Sequence, residues 1–157
     1  MSGVPAYPQP TLTVTNKPLI EAWQRGELVL QHCGACSTVV FFPRDVCPAC
    51  WSCELKWQKH SGRGRVVSYS QVYSHVTEPF VAESPITLAE IALEDGGAML
   101  ARVVDSVILA NARIQVEQTT SKWMPAYASM TGIAVELVPM PDAARYSLPT
   151  FRVAARR

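Results

Sequence analysis

A chain of 157 residues that is 48% hydrophobic and only 17% charged lies well outside disordered compositions and is long enough for one domain with an appendage or two small units. Fourteen basic against thirteen acidic side chains give a formal charge of +1, which leaves no basic footprint of the kind a nucleic-acid binder carries. No apolar run approaches the ~18 residues needed to span a bilayer, and residues 1–16 have neither the basic start nor the continuous apolar stretch of an export signal. A soluble, cytoplasmic protein is therefore expected, with a surface whose low charge and high apolar content suit contact with another protein.

Residues 1–16, with several prolines and little hydrophobic pattern, read as an extended, flexible arm. Pro18 suits a first helical turn, Leu19, Ile20 and Trp23 share a helical face, and Gly26 suits a C-cap, so the spacing predicts a short amphipathic helix over 18–25. A helix this short is marginal alone and must dock, either on its own domain or on a partner. Residues 28–32 and 38–42 read as two short strands flanking a cysteine pair.

Four cysteines in two pairs, Cys33-Gly34-Ala35-Cys36 and Cys47-Pro48-Ala49-Cys50, are separated by ten residues. Each C-x-x-C turn aims two sulfurs at one point, and two facing turns enclose a tetrahedral site that suits Zn²⁺. Gly34 and Pro48 are expected to supply the unusual backbone angles of the turns. Phe41 and Phe42 are expected to cover the metal. Two disulfides or free buried thiols are the competing readings, and a reducing compartment favours metal. Four thiolates leave no open coordination position, so the ion is expected to be structural; with its ligands it adds −2, bringing the net charge to about −1. Cys50-Trp51-Ser52-Cys53 is a further C-x-x-C, so Cys33, Cys36, Cys50 and Cys53 form an alternative ligand set. The compact 33–50 frame favours Cys47, leaving Cys53 as a spare, buried and inert thiol.

Beyond a glycine turn at Ser61-Gly62-Arg63-Gly64 the pattern becomes β-rich. Strands are expected at 65–74, 86–94, 98–105, 112–117 and 133–138, with Asp95-Gly96-Gly97 as a hairpin turn. Ala89, Ile91 and Leu93, then Met99, Ala101 and Val103, then Ile133, Val135 and Leu137 fall on common faces. Five alternating strands suit a small closed barrel, which removes sheet edges, and an oligonucleotide/oligosaccharide-binding (OB) barrel is the first choice. Residues 118–132, with Trp123, Met124, Tyr127 and Met130, form an aromatic-rich insertion that grips a partner or acyl chain, or packs under its own loop. The tail with Pro149, Phe151 and Val153 is expected to return across the barrel, ending in the solvated Arg156 and Arg157.

The fold class read from these elements is mainly β: a short N-terminal helix, a rubredoxin-like zinc ribbon and a five-stranded OB barrel. The corresponding units are an arm at 1–17, helix and ribbon at 18–60, and barrel with tail at 61–157.

No nucleophile elbow or phosphate loop of the G-x-x-x-x-G-K type is present. Ser61-Gly62-Arg63-Gly64-Arg65 offers amides and two guanidiniums to a phosphate, though a plain turn with exposed arginines is the simpler reading. His32, His60 and His75 lack partners at triad or metal spacing; His32 adjoins a ligand cysteine and reads either as a donor to the site or as an ordinary strand-end residue. Glu90, Glu94 and Asp95 are expected to solvate the hairpin and its outer face.

The series Trp23-x-x-Gly26-x-Leu28-x-Leu30, Cys33-x-x-Cys36, Pro43-Arg44, Cys47-Pro48-x-Cys50, Trp57, Ser61-Gly62-x-Gly64, Val66, Ser68-Tyr69, Pro85 and Leu93-x-x-Gly96 resembles the zinc-ribbon/OB-fold acyl-CoA-associated proteins catalogued as domain of unknown function 35. The resemblance covers about 18–154 and is tightest through residue 70. The extra thiol Cys53 and the insertion at 118–132 depart from it. It implies a non-catalytic accessory subunit beside a larger, thiolase-like partner that makes or breaks carbon–carbon bonds in acyl-CoA thioesters. It also implies one zinc on Cys33, Cys36, Cys47 and Cys50, and no catalytic residue of the family maps onto this chain. Some members are similar in binding acyl-CoA, a ligand whose phosphates Arg63 and Arg65 of the glycine turn, read from the residues themselves, would suit. The competing functions are a rubredoxin-like electron carrier, since four thiolates also suit iron, and a single-strand nucleic-acid module built on ribbon and barrel.

Overall fold

A computed structural model describes residues 8–73, 80–104, 132–139, 146 and 148–154. Helix α1 spans Lys17–Gln24, one residue earlier at each end than the sequence pattern implies. Its entry is fixed before it begins: Thr13 N–H donates to Asn16 Oδ1 at 2.8 Å and Asn16 N–H returns a bond to Thr13 Oγ1 at 3.1 Å, a reciprocal capping arrangement. At the far end Gly26 N–H reaches Trp23 O (2.8 Å) and Glu27 N–H reaches Ala22 O (3.0 Å), the Schellman pair that glycine at C′ permits. Leu19, Ile20, Ala22 and Trp23 are all buried, and Trp23 Nε1 donates to the Tyr146 carbonyl at 2.9 Å. The helix thus spends its apolar face on its own chain, with ~1.5–3 kcal/mol for each large side chain buried.

Three strands make the ribbon: β1 (Leu28–Cys33), β2 (Val39–Val40) and β3 (Leu55–His60), in the order β2-β1-β3 and antiparallel throughout. Strand β3 was not expected. Its sequence, Leu-Lys-Trp-Gln-Lys-His, has too few apolar residues to announce a strand, and it forms because β1 offers an edge over its whole length, from Leu28 opposite His60 to Cys33 opposite Leu55.

The barrel comprises β4 (Arg63–Val72), β5 (Ile86–Leu93), β6 (Ala98–Val103), β7 (Ala134–Leu137) and β8 (Thr150–Val153), closed in the order β4-β5-β6-β8-β7. A turn of 3-10 helix, Phe80–Glu83, precedes β5. All neighbours are antiparallel except β6 and β8. The inward set matches the expected alternation, with Ala89, Ile91, Leu93, Met99, Ala101, Val103 and Val135 buried. The described barrel takes its last stave from 150–153, which the sequence presents only as a returning tail; Phe151 is fully buried there. The expected strand at 112–117, residues 118–131 of the insertion with Trp123, Met124, Tyr127 and Met130, and His75, Arg156 and Arg157 lie outside the described residues.

Ribbon and barrel share one core. Leu19, Leu28 and Leu30 pack in the same cluster as Val66, Ile91, Met99 and Phe151. The β5–β6 hairpin presses on β2: a Cβ on Gly97 would lie 2.7 Å from Val39 Cβ, so only glycine lets the two backbones approach this closely.

Candidate metal centre

The two C-x-x-C turns repeat one backbone pattern. Ser37 N–H donates to Cys33 O and Trp51 N–H to Cys47 O, both at 2.9 Å. Cys33 N–H then bonds Thr38 O at 3.0 Å, and Cys47 N–H bonds Ser52 O at 2.9 Å. The left-handed residue is the one after the second cysteine in each turn, Ser37 (φ 60°) and Trp51 (φ 63°). This corrects the expectation for Gly34 and Pro48, since neither has a positive φ. Gly34 serves a different purpose, close approach, as its N–H bonds Glu54 O at 2.7 Å and a Cβ there would meet Glu54 Oε2 at 3.1 Å.

The paired turns bring Cys33, Cys36, Cys47 and Cys50 together with all four sulfurs within 4.8 Å of one another. Cys33 Sγ is 3.5 Å from Cys50 Sγ, and Cys36 Sγ is 3.7 Å from Cys47 Sγ. Tetrahedral Zn–S bonds of about 2.3 Å place sulfurs about 3.8 Å apart, whereas a disulfide needs about 2.05 Å. All five cysteines are free thiols. The separations therefore fit one ion on four sulfurs, and these four cysteines are positioned to bind zinc.

The electrostatics point the same way. Thr38, whose Oγ1 lies 3.1 Å from Cys36 Sγ, and its backbone amide pull the Cys36 thiol down to about 6. The Ser52 amide favours the Cys50 thiolate, but neighbouring Cys36 and Cys33, burial and Cys47 outweigh it and push that thiol up to about 12. Four sulfurs this close cannot all ionise on their own, and a divalent cation removes the conflict.

Each turn contributes one buried ligand, Cys33 or Cys47, and one exposed ligand, Cys36 or Cys50. The apolar shelter differs from expectation: Val40 and Leu55 pack on the buried sulfurs, whereas Phe41 belongs to the barrel-side cluster and Phe42 is largely exposed. Phe42, two residues past the end of β2, has a left-handed backbone at φ 65°. Cys53 stands outside the four-sulfur cluster and is exposed, not buried, because it follows the second turn on the strand-leading edge.

His32 does not face a sulfur. Its Nε2 lies 2.7 Å from Nε2 of His60, whose side chain is fully buried and whose Nδ1 is 3.8 Å from Asp95 Oδ2. Burial first, then the adjacent His32 ring, holds His60 below the ordinary imidazole range. Asp95 also accepts the Ser61 N–H at 2.5 Å, so it ties the hairpin to the end of β3 and does more than solvate it. Arg63 and Arg65 lie in β4 with exposed side chains: Arg63 Nε pairs with Glu94 at 3.1 Å, and Arg65 Nη1 donates to Gly132 O at 3.1 Å. Gly64 between them is a strand residue, where a Cβ would sit 2.5 Å from Ala92 O. Glu90 accepts from Ser68 Oγ at 3.2 Å on the outer face.

Gln31 is a structural residue that the sequence motifs do not single out. This side chain is buried and grips the backbone of residue 44 from both sides, Nε2 to Arg44 O at 2.9 Å and Arg44 N–H to Oε1 at 2.8 Å. A glutamine amid the apolar residues of β1 was the available signal.

Residues 21–55 match the family model of the ChsH2 rubredoxin-like zinc ribbon domain, and residues 57–117 that of the ChsH2 C-terminal OB-fold domain. A DUF35 domain-containing scaffold protein of Methanocaldococcus jannaschii is 34% identical over 96 residues, 57% of this chain and 67% of that protein. A probable enoyl-CoA hydratase alpha subunit of Thermomonospora curvata is 32% identical over 97 residues, 62% of this chain but only 30% of that protein, so the chain spans under a third of that relative. Among solved structures, a chain of an Ltp2-ChsH2(DUF35) aldolase superposes with a TM-score of 0.64 at 26% identity, covering 94% of this chain and 100% of that one. A DUF35-family protein of Sulfolobus solfataricus, 11% identical, shares the fold with a TM-score of 0.54 over 90% of this chain and 86% of its own.

Proposed function

The chain belongs to the DUF35 family of paired ChsH2-type zinc ribbon and OB-fold units, and from that membership we propose that it is the non-catalytic, zinc-braced accessory subunit of a larger thiolase-like or aldolase-type enzyme. The partner makes or breaks carbon–carbon bonds in acyl-CoA thioesters. The observation that carries this reading is the closed four-sulfur cluster, because an ion held by Cys33, Cys36, Cys47 and Cys50 has no position left for a substrate or water and so braces the backbone. A relative named as a scaffold protein and a structural neighbour in an aldolase with Ltp2 support the accessory role. The thiols call for a reducing compartment, so the cytoplasm is the proposed location.

For acyl-CoA, the phosphate contacts we propose are Arg63 and Arg65, which alternate with Gly64 and so share the outer face of β4. Phosphate binding requires Arg63 to exchange Glu94 for the ligand. Co-purification from the native host, followed by assay of the chain with and without any larger partner it brings down, tests the main reading. The expected result is a stoichiometric complex that turns over acyl-CoA while the isolated chain does not; turnover by the chain alone overturns it. Arg63→Ala with Arg65→Ala should weaken CoA affinity of the complex at least tenfold, and unchanged affinity removes these residues from the site.

A further inference from the structure

The four sulfurs of the metal centre do not share one environment. Cys33 and Cys47 are buried, whereas Cys36 and Cys50 open to solvent. Val40 and Leu55 pack on the buried pair, and Phe42, expected over the metal, is largely exposed. The contacts between sulfurs cross this division and cross the two turns at once. Exposed Cys50 Sγ lies 3.5 Å from buried Cys33 Sγ, and exposed Cys36 Sγ lies 3.7 Å from buried Cys47 Sγ. Each solvent-facing sulfur therefore has a sheltered neighbour on the opposite turn.

Access and thiolate character decide which sulfurs an oxidant meets, and a metal ligand sulfur is a thiolate. Cys36 and Cys50 meet both conditions. The geometry then decides which sulfur answers. A disulfide of about 2.05 Å asks each of the two pairs to close by only about 1.5–1.7 Å.

We propose that the metal centre is a peroxide-sensitive clamp: hydrogen peroxide converts its four sulfurs to two disulfides, Cys33–Cys50 and Cys36–Cys47, and the zinc is released. The inference rests on the zinc reading of these four cysteines. First the Cys50 thiolate attacks a peroxide oxygen; the O–O bond breaks, Cys50 becomes a sulfenic acid and hydroxide leaves. The Cys33 thiolate then attacks Cys50 Sγ, the S–S bond forms and a second hydroxide departs. Solvent protons turn both hydroxides into water, so two electrons pass from the sulfur pair to one peroxide. A second peroxide does the same to Cys36 and Cys47, and the ion leaves as Zn²⁺ when its ligands are consumed. Both bridges join the first turn to the second, as the ion does. The oxidised ribbon therefore keeps its turns tied, whereas disulfides within each C-x-x-C would untie them. Cys53, exposed but outside the four-sulfur cluster, takes no part.

The test treats the full, zinc-loaded chain with hydrogen peroxide and reads zinc release with a chelating dye. Release should near completion at about two equivalents of peroxide per chain, one for each disulfide. Stepwise reduction and alkylation followed by mass spectrometry should find Cys33 joined to Cys50 and Cys36 joined to Cys47. Dithiothreitol with added Zn²⁺ should restore the metal content, its own thiols pairing as they return the electrons. Cys53→Ser should change neither the zinc released nor the pairing. Zinc that stays bound at that dose, a bridge to Cys53, or any pairing other than the two named overturns the inference and leaves the structural zinc standing. Freshly isolated chain with free thiols and no zinc removes both.

Discussion

In the ribbon, the cluster behind the metal turns contains three buried residues, Cys33, Val40 and Cys47, two of them candidate ligands; the barrel closes on the apolar side chains of Val66, Ala89, Ile91, Met99, Val103 and Phe151. The ribbon's two turns are too small to bury enough apolar surface for independent stability, so coordination supplies what packing cannot. The barrel removes its sheet edges by closure and gains its stability from inward alternation. Between them runs a contact built from both kinds of interaction: Leu28 and Leu30 in the common core, Val39 against Gly97, and the His32–His60–Asp95 series. A metal-braced element thus gains a rigid attachment to a hydrophobic one.

The largest effect should come from breaking the ion's hold. Cys47→Ser should reduce zinc from one per chain to near none by elemental analysis and cost solubility, since structural zinc carries ~10–16 kcal/mol of apparent binding energy in isolated finger peptides. Cys53→Ser, outside the cluster, should retain full zinc. Next is the barrel's own core. Phe151→Ala removes a fully buried ring from the short strand that closes the barrel and should cost ~3–5 kcal/mol, on the order of 10 °C in melting temperature, with zinc retained.

A smaller loss is expected from Gly64→Ala, because the new methyl meets the Ala92 carbonyl and Ile91 at less than contact distance; overpacking of this kind costs ~1–3 kcal/mol in denaturant titrations. The contact between ribbon and barrel should carry the mildest signal, a pH dependence. His60 has a folded-state value below 6.5, so between that value and 6.5 the unfolded chain binds more protons, and stability falls as pH drops through this window. Asp95, held down first by its Ser61 hydrogen bonds, adds stability that is present above its usual 3.8 and lost only as pH falls further. His60→Gln should therefore flatten the melting-temperature slope between pH 7 and 5.5 relative to the parent; an unchanged slope would assign the dependence elsewhere.

Much of the barrel was legible because a strand with one face inward writes its pattern at period two. Residues 86–93 and 98–103 with Asp95-Gly96-Gly97 between them declare a hairpin and its inner face from sequence alone. Strand 150–153 was not legible as a stave: four residues beside a proline carry too little pattern, and its place is set by its two neighbours, parallel to β6 and antiparallel to β7. Strand 55–60 fails for a related reason, since its partner supplies the hydrogen bonds that its composition does not advertise.

By itself, the sequence determined which residues bear sulfur and at what spacing, because a C-x-x-C turn is a local geometry that needs no distant partner. It also determined the helix face and the hairpin. Tertiary structure decided that Cys47 and not Cys53 joins the cluster, that Val40 and Leu55 rather than the phenylalanines shelter the sulfurs, and that His32 turns to His60. It also left Trp51 in water and fixed the backbone of residue 44 on Gln31. Those outcomes depend on how separate segments meet across space, and burial and pairing between distant residues leave no periodic trace along the chain.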